Sequence, residues 1–213
     1  MEITWFGQSF FRLKGKTTTL LIDPFDPEMV GLKLPKDLSA SVALTTHNHG
    51  DHNNTKVITN QKLIIAGPGE YEVEGVTITG TRTFHDKTGG SERGINTVYN
   101  MTVDGVNVVH LGDLGHELTE EQITEIGTVD VLLVPVGGVY TITASEAVKV
   151  VNQLEPRIVI PMHYKVDGLK IELETAEPFL KEMGAESVEA TPKLSITKDK
   201  LPEETTVVVL SKS

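Results

Sequence analysis

The chain has 213 residues, and its 19 Lys and Arg stand against 30 Asp and Glu for a formal net charge of −11. A surface this acidic on average repels phosphate backbones, so long nucleic acids are not expected as partners. Cysteine is absent, which removes disulfides and thiolate ligands together and leaves His, Asp and Glu as the strong metal donors. No apolar run approaches the roughly 18 residues that span a bilayer, and no basic segment with a signal core opens the chain, so a cytoplasmic location without membrane contact is expected. With no long polar linker, residues 1–213 read as a single domain.

Short β-rich runs fill the first half, at residues about 2–6, 10–14, 18–22, 42–46, 62–66, 70–73 and 76–80, then 95–103 and 106–111. Glu74-Gly75 and Asp104-Gly105 each sit between alternating apolar segments, where a residue followed by Gly supplies the positive φ of a tight hairpin. This half reads as a meander. The period then changes: residues about 119–126 and 144–154 carry apolar positions at helical spacing, and Phe179-Leu180 with Met183 marks a third helix ending at Gly184. Apolar strands at 130–134 and 157–161 lie between these helices. The mixture suits two β-sheets packed face to face with helices on their outer faces.

His47-Asn48-His49-Gly50-Asp51-His52 gathers three of the seven histidines and a carboxylate into six residues. Val42-Ala43-Leu44 reads as a buried strand that Thr45-Thr46 carries to an edge. In extended backbone i and i+2 project to one side, so His47 and His49 can reach the same cation. Gly50 permits a sharp turn that swings Asp51 and His52 toward a neighbouring position, so two adjacent divalent cations are the natural reading. A solvated polar turn is the bland alternative. Further along, His85 stands where the strand-like Val76 to Phe84 gives way to a flexible, glycine-rich loop. Asp113 ends the apolar run Val106 to Leu111 beside Gly112, and His163 follows the strand Ile158-Val159-Ile160 and Pro161-Met162. A structural histidine or an ordinary turn aspartate is the plain reading of each.

The run His-x-His-x-Asp-His is the signature of the metallo-β-lactamase superfamily. The chain resembles its branch of short hydrolases related to ascorbate-6-phosphate lactonase and N-acyl phosphatidylethanolamine phospholipase D. Ile3-Thr4-Trp5-Phe6-Gly7-Gln8-Ser9-Phe10 and Leu20-Leu21-Ile22-Asp23-Pro24 are similar to that branch's opening strand, its hydrophobic-Gly-x-Ser turn and its Ile-Asp-Pro segment. His85, Leu111-Gly112-Asp113 and Pro161-Met162-His163-Tyr164 then fall in the family's order. The resemblance implies an α/β protein with a four-layer αββα sandwich and a metal site at one edge, where strand ends meet. It gives His47, His49 and His85 to a first metal and Asp51, His52 and His163 to a second, with Asp113 bridging them.

Other residues admit two readings. His110, in an apolar strand three residues before Asp113, is a partner behind the ligands or a satisfied core histidine, and His116 is a loop residue. Asp23 either orients a ligand histidine or sits in a plain turn. Arg93 offers a planar fork to an anionic group or is solvated. Tyr140 suits a pocket wall or a bland turn. Tyr164, beside His163, donates to a developing oxyanion or packs as a core tyrosine.

The expected activity is that of a dinuclear metal-dependent hydrolase. Two cations about 3.5–4 Å apart share a water, lower its pKa and present hydroxide to a carbonyl or phosphoryl centre. Asp51 is placed to handle the proton. Ser9 lacks a plausible triad, and no Gly-rich phosphate loop opens a helix. Zn²⁺ is the expected metal, with Mn²⁺ or Fe²⁺ as rivals, and a small anionic ester, lactone or phosphoester the expected substrate. The alternatives are a phosphodiesterase acting on RNA or nucleotides, which size and charge disfavour, and a non-catalytic metal-binding member of the fold. A homo-oligomer is compatible with the sequence.

Overall fold

The computed structural model describes residues 1–213 as two mixed β-sheets with helices outside them. The first sheet begins as an antiparallel meander of β1 (Glu2–Trp5), β2 (Phe11–Lys14) and β3 (Thr19–Ile22). Alternation at period two sorts its side chains: Ile3, Trp5, Phe11, Leu13, Leu20 and Ile22 enter the main core, and Leu21 turns to a smaller cluster with Phe25, Val30 and Leu32.

The meander does not continue, and this corrects the expectation for the first half. After β3 the chain crosses over through the short helix α1 (Pro27–Val30) and returns as β4 (Val42–Leu44) and β5 (Leu63–Ile65), with β4 parallel to β3 and β5 parallel to β4. All three residues of β4 are buried, the mark of a strand covered on both faces, where parallel pairing is at home. Helix α1 is too short for a hydrophobic period. Its local signals are an Asp26 side chain accepting from the Glu28 N–H, Pro27 in the first turn and Gly31 at φ 86° closing it.

The second sheet opens antiparallel, with β6 (Gly69–Val73), β7 (Val76–Phe84), β8 (Ile95–Val103) and β9 (Val106–His110). Both predicted hairpin turns form with positive φ at each central residue, 50° and 80° at Glu74-Gly75 and 51° and 79° at Asp104-Gly105. Strand β7 runs beyond the β-rich run at 76–80 to Phe84, the end of the strand-like stretch expected before His85. Its last stretch carries the buried Thr81 and Thr83, which pair with β8 but give no apolar signal. Helix α2 (Glu120–Ile126) leads to β10 (Val131–Pro135), and α3 (Ala144–Leu154) to β11 (Ile158–Met162). Strands β9, β10 and β11 run parallel, and every residue of β10 and β11 is buried.

Capping boxes at Thr119 with Gln122 and Thr143 with Glu146 set the starts of α2 and α3. Helix α3 lays Ala147, Val150, Val151 and Leu154 inward and packs on β10 and on α4 (Glu177–Glu182). The two-residue strands β12 (Leu194–Ser195) and β13 (Thr206–Val207) close the edges beside β1 and β11. The result is the αββα sandwich. His47, His85, Asp113 and His163 each lie one to three residues beyond the C-terminal end of a strand, respectively β4, β7, β9 and β11. No helix is long and apolar enough to cross a membrane.

Candidate metal centre

The four strand ends and the hexapeptide loop bring seven donor residues into two groups: His47, His49 and His85, and Asp51, His52, Asp113 and His163. Within each group the ligand atoms lie within 4.8 Å of one another. Asp113 belongs to both in space. Its Oδ2 lies 3.2 Å from His85 Nε2, 3.2 Å from His52 Nε2, 3.3 Å from His163 Nε2 and 3.9 Å from His47 Nε2.

These contacts lack the direction of hydrogen bonds. The Nε2 atoms of His47 and His52 and the Oδ1 atom of Asp113 are buried without a hydrogen-bond partner, which costs about 1–3 kcal/mol per group if nothing else meets them. Lone pairs converging on a shared point are what a cation needs. The nitrogen and oxygen donor set, free of thiolate, matches divalent Zn²⁺, Mn²⁺ or Fe²⁺, so the residues present fit such ions.

The electrostatics agree. Burial alone would push the His52 pKa down, but the carboxylates of Asp113, Asp51 and Asp23 overcome it and raise it well above the ordinary value. Burial would push Asp113 up, but His163 and His52 hold it well below the usual carboxylate range. The cluster thus favours positive charge, and a proton on His52 competes with a cation for that place. His47 is pushed down to about 3 by burial and then by the neighbouring His52, so it is neutral and able to donate a lone pair at any working pH.

Asp23, at the end of β3, fixes which nitrogen each histidine presents. Its Oδ1 accepts the Thr46 N–H at 2.7 Å, and its Oδ2 accepts the Thr46 hydroxyl at 2.7 Å and His52 Nδ1–H at 2.8 Å. A carboxylate can only accept, so the Thr46 hydroxyl spends its proton on Asp23. That hydroxyl must then accept from His47 Nδ1–H, 3.0 Å away. Both imidazoles are left with Nε2 facing the centre. Asp23 thus bonds His52 directly and reaches His47 through the Thr46 hydroxyl.

Three supporting residues escaped the sequence reading. Gln8, fully buried at φ 52°, donates its amide to Asp51 Oδ2 at 3.0 Å, and its carbonyl accepts the Trp5 indole N–H at 2.8 Å and the His163 N–H at 3.0 Å. Asn96 accepts the Asp113 N–H at 3.0 Å and donates to Thr83 Oγ1 and the Leu111 carbonyl at 2.8 and 2.9 Å. Asp86 accepts from the backbone N–H groups of Thr88, Gly90, Glu92 and Arg93 and from the Thr88 hydroxyl. These bonds, that of Arg93 first, hold the Asp86 carboxyl well below its usual range. The loop after His85, expected to be flexible, is instead wound around one carboxylate.

His110 takes the satisfied reading: Nδ1 accepts the Gly112 N–H at 3.0 Å and Nε2–H donates to the Ser9 carbonyl at 2.9 Å, which leaves no lone pair for a cation. His116 is a loop residue whose Nε2 accepts the Phe84 N–H at 3.1 Å. The structure does not bring Tyr164 to the site, which corrects the expected oxyanion contact. His163 adopts φ 51°, so the chain turns and Tyr164 packs 5.0 Å from Trp5 instead, where burial pushes its hydroxyl up to about 12. Arg93 and Tyr140 do reach the site. Both line a cavity of about 670 Å³ with His49, Asp51, His85, Asp113 and His163, and the Arg93 guanidinium lies 5.6 Å from the Tyr140 ring centroid.

Gly112 shows how tightly the centre is packed. At φ 57°, a Cβ here would lie 2.3 Å from Asn96 Oδ1 and 2.7 Å from Thr46 Cβ. Gly112→Ala is expected to lower stability by about 2–4 kcal/mol, through left-handed strain plus overpacking. Thermal denaturation checks this; a melting temperature within a degree of the parent would mean the contact relaxes freely.

A family described as "Beta-lactamase superfamily domain" matches residues 2–163. Among curated proteins, a UPF0173 metal-dependent hydrolase of Methanosarcina mazei is 31% identical over 196 residues, covering 77% of this chain and 83% of its own. One of Archaeoglobus fulgidus is 32% identical over 193 residues, with 77% and 83% covered. Among solved structures, a Thermotoga maritima protein given as a candidate Zn-dependent hydrolase of the metallo-β-lactamase superfamily superposes with a TM-score of 0.80. It is 40% identical, over 98% of this chain and 97% of that one. A metallo hydrolase of Ignicoccus hospitalis shares the fold at a TM-score of 0.68 and 22% identity, over 92% of this chain and 99% of that one.

Proposed function

The chain belongs to the metallo-β-lactamase superfamily and is a metal-dependent hydrolase within it, and from that premise we propose a two-cation centre that hydrolyses a small ester, lactone or phosphoester. Zn²⁺ is the proposed metal, with Mn²⁺ and Fe²⁺ as rivals. One observation carries the reading: Asp113 Oδ2 stands within 3.3 Å of Nε2 atoms from both groups, 3.2 Å from His85 and 3.2 and 3.3 Å from His52 and His163. His47, His49 and His85 would hold one ion, Asp51, His52 and His163 the other, and the Asp113 carboxylate would join them.

When bound, two such ions polarise the electrophile's oxygen and bring the pKa of a shared water toward neutrality. The chain's own residues do the rest. Asp51 lines the cavity, its Oδ2 held by the Gln8 amide at 3.0 Å. Burial raises its pKa, but His52 more than reverses this, so it enters the reaction ionised. As an ionised carboxylate facing the cavity, it is the group placed to accept the attacking water's proton and return it to the departing oxygen. Asn96 fixes the backbone of Asp113, and Asp23 fixes the two imidazoles, so the donors need not reorganise during reaction.

Metal analysis coupled to turnover tests this. We expect about two ions per chain, loss of hydrolysis on chelation and recovery with Zn²⁺. At a hundredfold excess over Kd, each ion should add about 2.7 kcal/mol to stability, seen as a raised melting temperature. p-Nitrophenyl acetate, a simple lactone and bis-p-nitrophenyl phosphate sort the electrophile. A single ion per chain would sink the two-cation centre, and a fully loaded protein inert to all three would favour a non-catalytic role.

A further inference from the structure

The turn Gly7-Gln8-Ser9, between β1 and β2, is bonded to three of the four donors in one group and to none in the other. Gln8 and Ser9 are fully buried, and the Phe10 N–H closes the turn on the Gly7 carbonyl at 3.0 Å. The Gln8 side-chain amide donates to Asp51 Oδ2 at 3.0 Å, and the Gln8 carbonyl accepts the His163 N–H at 3.0 Å. The Ser9 carbonyl accepts His110 Nε2–H at 2.9 Å, and His110 Nδ1 in turn accepts the N–H of Gly112, the neighbour of Asp113, at 3.0 Å. Asp51, Asp113 and His163 thus hang from two consecutive residues. No bond of this turn reaches His47, His49 or His85; His47 leans on the Thr46 hydroxyl, and the His85 N–H on the Gly94 carbonyl.

Gln8 holds its place at a cost. It adopts φ 52°, a left-handed backbone that strains any residue with a Cβ and that Gly would accept freely. Its Oε1 is also buried without a hydrogen-bond partner. What the side chain supplies in return is one donor, aimed at Asp51.

We propose that Gln8 is a positioning residue for one cation only: through Asp51 it sets how tightly the group of Asp51, His52 and His163 holds its ion, and leaves the group of His47, His49 and His85 unaffected. This rests on the two-cation reading above and adds that the two ions are held with separable affinities. The chain's one tryptophan reports on the same turn. The Trp5 indole N–H donates at 2.8 Å to the Gln8 carbonyl that also takes the His163 N–H, and its ring lies 5.0 Å from that of Tyr164. Its emission should therefore follow the filling of the His163 group.

The test titrates the full metal-free chain with Zn²⁺, reading imidazole ¹⁵N shifts together with Trp5 emission. His47 and His85 report one group, His52 and His163 the other. Two variants remove the donor in opposite ways: Gln8→Met keeps the bulk and the strained backbone, whereas Gln8→Gly gives up the bulk and relieves the strain. Both should weaken Zn²⁺ at His163 by about 10–100-fold and leave His85 within twofold of the parent. The Trp5 response should move to higher Zn²⁺ with His163, and any esterase activity should recover as Zn²⁺ is raised over the same range. Two ions bound with parent affinity in Gln8→Met, or both groups weakened alike in both variants, would overturn the assignment and leave the two-cation centre standing. A parent in which only His47 and His85 respond removes the two-cation centre and this assignment together. One in which only His52 and His163 respond removes the two-cation centre alone, and the variants' loss of affinity there still upholds Gln8.

Discussion

Asp113→Ala is expected to leave a folded chain that binds metal at neither group and turns over at least about a thousandfold more slowly, the roughly 4 kcal/mol share of a metal centre's contribution. Asp113 is the one carboxylate in contact with histidines of both groups, through Oδ2 at 3.2 Å from His85 and 3.2 and 3.3 Å from His52 and His163, whereas Asp51 and Asp23 meet only His52. Its removal also leaves those imidazoles buried around a void with no negative charge to offset an incoming cation. His49→Ala is the control, because His49 belongs to one group only. It should abolish metal-dependent turnover yet retain part of the metal. Mass-spectrometric metal content and far-ultraviolet dichroism read both variants, and an Asp113→Ala protein with its full metal complement would refute the shared-carboxylate arrangement.

The donors were legible in the sequence to the extent that they were local. His47 and His49 declare a site because their i and i+2 spacing fixes their geometry without knowledge of the rest of the chain. His85, Asp113 and His163 could be joined to them only through resemblance, since a strand end followed by His or Asp is common and nothing local says which ends meet. The supports were invisible for the same reason in stronger form. Gln8 meets Asp51 across 43 residues and Asn96 meets Asp113 across 17, and a Gln or Asn carries no mark of the partner it will find. Asp86 is the exception that a closer reading could have caught, because its partners Thr88, Gly90, Glu92 and Arg93 follow within seven residues, the pattern of an Asx-type turn. Sheet order failed similarly: Leu20-Leu21-Ile22 and Val42-Ala43-Leu44 say that their strands are buried, but not that they pair in parallel.

Asp23→Asn should weaken metal binding by about 10–100-fold, the usual cost of losing the partner that orients a ligand histidine, while changing the volume of the site hardly at all. The effect turns on protons. The carboxylate accepts at once from the Thr46 N–H, the Thr46 hydroxyl and His52 Nδ1–H, at 2.7, 2.7 and 2.8 Å. An amide has one accepting oxygen and an NH₂ that only donates. If the oxygen keeps the Thr46 N–H, the NH₂ faces the Thr46 hydroxyl and His52 Nδ1, and His52 must move its proton to Nε2 to accept. That proton then occupies the lone pair directed at the centre. The Thr46 hydroxyl, now receiving from the amide, turns its own proton toward His47 Nδ1 and drives that ring toward the same tautomer. One substitution thus closes a donor in each group. Stability should fall by about 2–3 kcal/mol as charge-assisted hydrogen bonds are lost. Competition with a chromogenic chelator measures the affinity, and imidazole ¹⁵N shifts report the tautomers. A variant that binds metal within twofold of the parent, with His52 still protonated at Nδ1, would show that Asp23 packs the site without setting its protons.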